Sequence, residues 1–192
     1  MRIACVSEGE TEFVCMPKFI GRLGHTVVSN VHVGGCDDDW DRTFERTILP
    51  YVRTAALIGP DKILVVVDRE RRVQCCPTLA RGALQILANG LSAVNLTATV
   101  AVVVSDRKFE TVLMADYELV DTMSILAGPV SQDFGATLDG TDPKVIVDRG
   151  LKHGNKYRKV LHGAALASKM RLDDPTVLAR SRALGKIVKE LS

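Results

Sequence analysis

Lys62-Ile63-Leu64-Val65-Val66-Val67 (KILVVV) runs straight into Asp68-Arg69-Glu70. A strand with one wet face alternates apolar and polar residues. An unbroken aliphatic run is the mark of a strand covered on both faces, as in a parallel sheet between helices. Outward from it, Arg2 to Ser7 (RIACVS), Thr26 to Val33 and Thr97 to Val104 read as three further strands of the same kind. Between them the apolar period changes to that of a helix. Thr11 to Leu23 carries Phe13, Val14, Met16, Phe19, Ile20 and Leu23, with a kink or restart expected at Pro17. Asp41 to Ile58 is amphipathic with a break expected at Pro50, and Thr78 to Ala88 is helical.

This alternation over residues 1–123 predicts an α/β core, a mostly parallel four-stranded sheet flanked by helices. It stops after the fourth strand. Phe109 to Met123 reads as one helix, and Leu126 to Lys152 as loop with short helical pieces. Tyr157 to Met170 reads as a helix whose apolar side is Tyr157, Val160, Leu161, Ala164 and Leu166 or Ala167. Asp174-Pro175 starts a last helix with Val177, Leu178, Leu184, Ile187, Val188 and Leu191 on one side. Residues 124–192 are thus expected as a C-terminal helical extension packed on the same domain.

Hydrophobic residues make up 46% of the 192, which excludes a disordered chain. The net charge is only +2, so a phosphate-binding surface has to be a local patch. Apolar stretches are strand-sized and none approaches the ~20 residues of a membrane span. The N-terminus runs into a strand with no signal-peptide pattern. Five cysteines at irregular spacing, with no CxxC, fit neither a zinc site nor a disulfide framework. Free thiols in the cytoplasm are expected, with Cys5 and Cys15 in the core. No P-loop or GxGxxG occurs, and neither Ser7 nor Ser105 has a matched His/Asp arrangement.

Acidic residues stand at three strand ends: Glu8-Gly9-Glu10-Thr11-Glu12, Asp68-Arg69-Glu70, and Ser105-Asp106 with Glu110 just beyond. Ligands of open parallel sheets gather at the carboxyl ends of the strands. Carboxylates brought together there repel unless a cation neutralises them, and a hard cation such as Mg²⁺ takes oxygen ligands. Taken singly, each of these acids reads better as a helix cap or a solvated residue, with Glu10 or Thr11 capping the first helix, and it is the three strand ends together that favour a site. Asp37-Asp38-Asp39 reads as loop and cap.

Glu8-Gly9-Glu10-Thr11-Glu12 after a first strand resembles the EGxTE signature of Toprim domains. Asp68-Arg69-Glu70 resembles the Toprim DxD motif, with Glu for the second Asp. Phe109-Glu110-Thr111-Val112-Leu113-Met114-Ala115-Asp116 resembles the FExWLLAD-like segment of a Toprim-like bacterial group, domain of unknown function 4276, related to the overcoming-lysogenisation-defect nucleases. Val112 stands near where those relatives often carry Trp. Lys156-Tyr157-Arg158-Lys159 followed by His162-Gly163 is similar to that group's C-terminal helix.

The resemblance implies a Toprim-like fold and a Mg²⁺- or Mn²⁺-dependent nuclease acting on DNA or RNA. It implies Glu8 as catalytic residue and ligand, and Asp68 and Glu70 on the metal, with Glu12 and Glu110 as further ligands. Lys156 takes a catalytic role by stabilising transition-state charge, and Arg69, Lys152, Arg158 and Lys159 contact nucleic acid. Arg69 reads equally as an offset to local carboxylates, and the basic stretch from Arg149 to Lys159 equally as a solvated face. A partner ATPase of the ABC or structural-maintenance type, a role in phage defence or DNA repair, and a homo-oligomer belong to the same set of expectations. The alternative is a catalytically inactive Toprim-like binding module for a protein or nucleic acid. A phosphatase on a similar sheet is disfavoured by the lack of a strand-terminal DxDx[TV].

Overall fold

Four strands form one all-parallel sheet in the order β2-β1-β3-β4. They are β1 (Arg2–Ser7), β2 (Thr26–His32), β3 (Lys62–Asp68) and β4 (Thr99–Ser105). The structure, a computed structural model, describes residues 1–34, 39–92 and 98–192. Thr97, expected to open the fourth strand, and Cys36, Asp37 and Asp38 lie outside them.

The helices are α1 (Glu10–Arg22), α2 (Trp40–Arg42), α3 (Leu49–Ala56), α4 (Cys76–Leu91), α5 (Glu110–Leu113), α6 (Tyr117–Asp121), α7 (Pro143–Arg149), α8 (Lys159–Lys169), α9 (Pro175–Ala179) and α10 (Arg182–Leu191). β3 lies inside the sheet, and its run Ile63 to Val67 is at most 1% exposed. Its side chains alternate between two apolar layers. Leu64 and Val66, with Ile3, Cys5, Ala101 and Val103, pack under α1, α5, α8 and α10. Ile63, Val65 and Val67, with Ala4, Val6, Val102 and Val104, pack under α3 and α4. Cys5 and Cys15 are buried in the first layer as free thiols. The chain is a Rossmann-like α/β arrangement, with the C-terminal helices sharing the first layer.

Both prolines expected to interrupt helices are accommodated. α1 runs through Pro17. Pro17 has no N–H for the carbonyl of Phe13, four residues back. The Asn30 side-chain amide of β2 donates to that carbonyl instead, at 2.8 Å. A π-helical segment, Thr43–Ile48, leads up to Pro50, which sits in the first turn of α3. Asp39 caps α2 by accepting from the amides of Asp41 and Arg42.

Other expectations are corrected. Phe109 to Met123 is two helices, because Asp116 accepts from the Leu119 amide as an N-cap and starts α6 afresh. The last helix is likewise divided, with Ser181 capping α10 through Leu184 N–H. The cap of α1 is Gly9, rather than Glu10 or Thr11.

α8 buries Gly163, Leu166 and Ala167 but leaves Val160 36% and Leu161 59% exposed. Its contact face combines Leu166 with two small residues, Gly163 and Ala167. A Cβ at Gly163 would lie 2.8 Å from Leu113 Cδ1 and 3.2 Å from Thr11 Cγ2. The missing side chain is what lets α8 settle against both α1 and α5. Among the described residues, no helix is long and apolar enough to cross a membrane.

Candidate functional site

Parallel strands deliver all their carboxyl ends to one edge of the sheet. The register is level there: Ser7 stands beside Val66, and Asp68 beside Ser105. Glu8 therefore emerges next to Asp68. Its amide donates to the Val66 carbonyl at 3.1 Å, and its Oε2 accepts from the Asp68 amide at 3.0 Å. These two bonds fix the Glu8 carboxylate against the end of β3.

Glu12, in the first turn of α1, is 3% exposed and folds back over Gly9. A Cβ at position 9 would lie 2.4 Å from Glu12 Oε2, so this approach requires glycine. Glu110 opens α5 and is 2% exposed. Its Oε1 lies 3.0 Å from Lys159 Nζ at the start of α8. Glu70 sits on the rim with φ of 51°, in the left-handed region. Its amide donates to the carbonyl of Arg107, itself at φ of 65°. The two irregular residues brace each other where the β3 and β4 chains leave the sheet.

These side chains line one cleft of about 640 Å³. Its acidic lining is Glu8, Glu10, Glu12, Asp68, Glu70 and Glu110, and Arg158 and Lys159 are the basic residues that line it. Asp68 Oδ1 is shielded from solvent and has no hydrogen-bond partner among the described residues, although a backbone hydrogen bond from Phe109 reaches the carboxyl group.

The acids pay for this proximity in proton affinity. Burial, then the charges of Glu12, Glu8 and Glu110, push Asp68 well above the usual carboxylate range. Burial likewise pushes Glu12 up to about 7, with Glu110 and Glu8 adding to it and a backbone hydrogen bond and Lys159 opposing. Lys159 is raised: burial works against its charge but is outweighed by Glu110, Asp68 and Glu12.

A carboxyl whose folded pKa exceeds its unfolded one binds its proton more tightly when folded. Stability then falls as pH rises from the unfolded value through the folded one. Glu12 accordingly costs the metal-free protein stability between about pH 4.5 and 7. Glu12→Gln removes that cost. In thermal melts with EDTA, the variant is expected to melt roughly 5 °C above the parent at pH 8 and level with it at pH 4. An equal gap at both values would show that Glu12 is not the strained acid.

Three expected residues are placed elsewhere. Arg69 Nη2 is 2.5 Å from Asp106 Oδ1, an ion pair away from the cleft lining. Lys152 Nζ donates to the Ser124 carbonyl at 2.8 Å, tying two loops together. Lys156 is exposed and does not line the cleft. His162 Nδ1 accepts from the Arg158 amide at 2.8 Å, which secures the entry to α8. The Lys159–Glu110 pair had no local signal in the sequence, since it forms only once α8 packs on α5, where Gly163 lies close to Leu113.

The donors in the cleft are all oxygens, the chemistry a hard divalent cation takes. As the side chains stand, no three His, Cys, Asp or Glu among the described residues are arranged to hold a metal ion. Comparison with protein-family models, curated proteins and solved structures finds no match for this chain.

Proposed function

We propose that this cleft binds a divalent cation, Mg²⁺ or Mn²⁺, and hydrolyses phosphodiester bonds in DNA or RNA. The observation that carries the reading is the partnerless, shielded Asp68 Oδ1, set among Glu8, Glu12 and Glu110. Burying carboxylates together costs free energy that nothing in the fold requires, and such sites tend to be functional. An oxygen-binding cation relieves it.

A divalent cation held there supplies Lewis acidity toward a phosphoryl oxygen and makes water a usable nucleophile near neutral pH. Asp68, Glu8, Glu12 and Glu110 are the residues that would hold it, with Glu70 on the rim. The chain's own part is orientation and charge. Glu8, fixed by the Asp68 amide, is placed to accept a proton from water at Oε1, the oxygen not bonded to that amide. Arg158 and Lys159, which line the same cleft, offer positive charge to a polyanion entering it.

The ordered motifs that resemble Toprim enzymes support the same reaction. A partner ATPase, and a role in phage defence or DNA repair, rest on that resemblance alone. The exposed free thiol of Cys75 suits a cytoplasmic protein. A second reading, a non-catalytic module gripping a protein or nucleic acid, draws on Lys159 already occupying Glu110.

The test is hydrolysis of supercoiled DNA, single-stranded DNA and RNA by purified protein with Mg²⁺, Mn²⁺ or EDTA. Cleavage with either metal and none with EDTA is expected. Absence of both cleavage and calorimetric metal binding would leave the second reading standing.

A further inference from the structure

The Lys159–Glu110 pair is unequal. The Glu110 side chain is 3% exposed and enclosed at the start of α5, whereas that of Lys159 is 46% exposed. The backbone beneath Lys159 is firmly seated: one turn later, Gly163 packs against Leu113 of α5 and Thr11 of α1. The lysine thus has a rigid anchor, a flexible four-carbon stem and a half-wet ammonium. Glu12 and Asp68 also lie within reach of its charge.

We propose that Lys159 is a displaceable countercation, which neutralises the carboxylate cluster while no metal is bound and yields Glu110 to an entering divalent cation. The inference rests on the metal-site reading above. Two cations cannot share one buried carboxylate cluster without repelling each other, and only the ammonium has an open path to solvent. Once released, Lys159 stays tethered at the cleft mouth, where an anionic ligand meets it. Metal loading thereby converts an internal ion pair into an outward-facing positive charge.

The consequence runs against the usual effect of trimming a binding site: removing Lys159 tightens metal binding. The experiment is calorimetric titration with Mn²⁺ alone, at pH 8, in two buffers of different ionisation enthalpy so that proton release is separated from metal binding. Lys159→Met and Lys159→Gln are compared with the parent protein. Lys169→Met is the control, with the same charge removed from the exposed far end of the same helix.

Both position-159 variants are expected to bind Mn²⁺ about tenfold more tightly than the parent, with Lys169→Met unchanged. Unchanged or weaker binding in both overturns the inference while the metal site stands. Tightening of the same size in Lys169→Met also overturns it, since net charge would then be the cause. No Mn²⁺ binding by the parent protein removes the metal reading itself, and the inference with it.

Discussion

Asp68→Asn is expected to lower metal-dependent cleavage by about 10³-fold or more while leaving the protein as stable as before, or more so. The two effects have one cause. Asp68 Oδ1 makes no hydrogen bond among the described residues, and burial and neighbouring carboxylates penalise the charge of the group. An amide of the same shape relieves the repulsion, and its oxygen can still accept from the Phe109 backbone N–H. The same change removes a negatively charged oxygen from the centre of the proposed cation site. Glu8→Gln should behave alike in activity, because its side-chain carbonyl can still accept from the Asp68 amide. Cleavage rates with Mg²⁺ and melting temperatures in EDTA, taken on the same preparations, decide the matter. A drop in melting temperature with cleavage retained would make Asp68 a structural residue and remove the basis for the proposed reaction.

This opposition between stability and chemistry bears on what a sequence discloses. KILVVV disclosed the central strand because burial on both faces demands an unbroken apolar run. The convergence of Glu8, Asp68 and Glu110 followed because parallel strands must end at one edge. Beyond β4 the choice of Glu110 over Asp106 came from the resemblance and not from the strand pattern: Asp106 pairs with Arg69, whereas Glu110 lines the cleft. That placement depends on the short turn Arg107–Lys108, with Arg107 in the left-handed region.

Α8 misled for a different reason. Hydrophobicity marks Val160 and Leu161 as well as the buried Leu166 and Ala167, yet the close approach to α1 and α5 is made at Gly163, which has no side chain for a periodicity to register. The same packing sets which lysine reaches the acids. Lys159 begins the seated helix and faces Glu110, while Lys156 precedes it on the exposed approach. Pro17 predicted a kink from local rules, and the repair came from Asn30 on another strand. In α1 and α8 alike, a residue distant in sequence supplies what the local stretch lacks.

Arg171→Met carries the largest expected loss of stability, and it lies away from the acidic cleft. Asp116 is 1% exposed and caps α6. Arg171 Nε and Nη2 reach its two oxygens at 3.0 and 2.5 Å, and the Arg171 amide adds a third bond at 3.0 Å. The guanidinium also meets Glu118 at 2.6 Å and Asp174 at 3.2 Å, so one side chain joins α6 to the start of α9. Burial alone would raise the Asp116 pKa, but the hydrogen bonds from Arg171 outweigh it and hold the carboxyl below its usual value.

Truncation to Met leaves that charge with backbone donors alone. Breaking a fully buried pair costs roughly 3–5 kcal/mol; the 44% exposure of the Arg171 side chain reduces this to about 2–3 kcal/mol, or roughly 5–10 °C in melting temperature. The pH dependence separates charge from packing. A depressed carboxyl pKa contributes stability above the unfolded value, near 4, and loses it as pH falls through the folded value. The gap between Arg171→Met and the parent should therefore be full at pH 7 and narrow steadily below pH 4. A gap of constant size would assign the loss to the arginine's methylenes. The double variant Asp116→Asn/Arg171→Met sharpens the distinction: with no buried charge left to strand, it should regain part of what Arg171→Met alone loses at pH 7 and show no narrowing in acid.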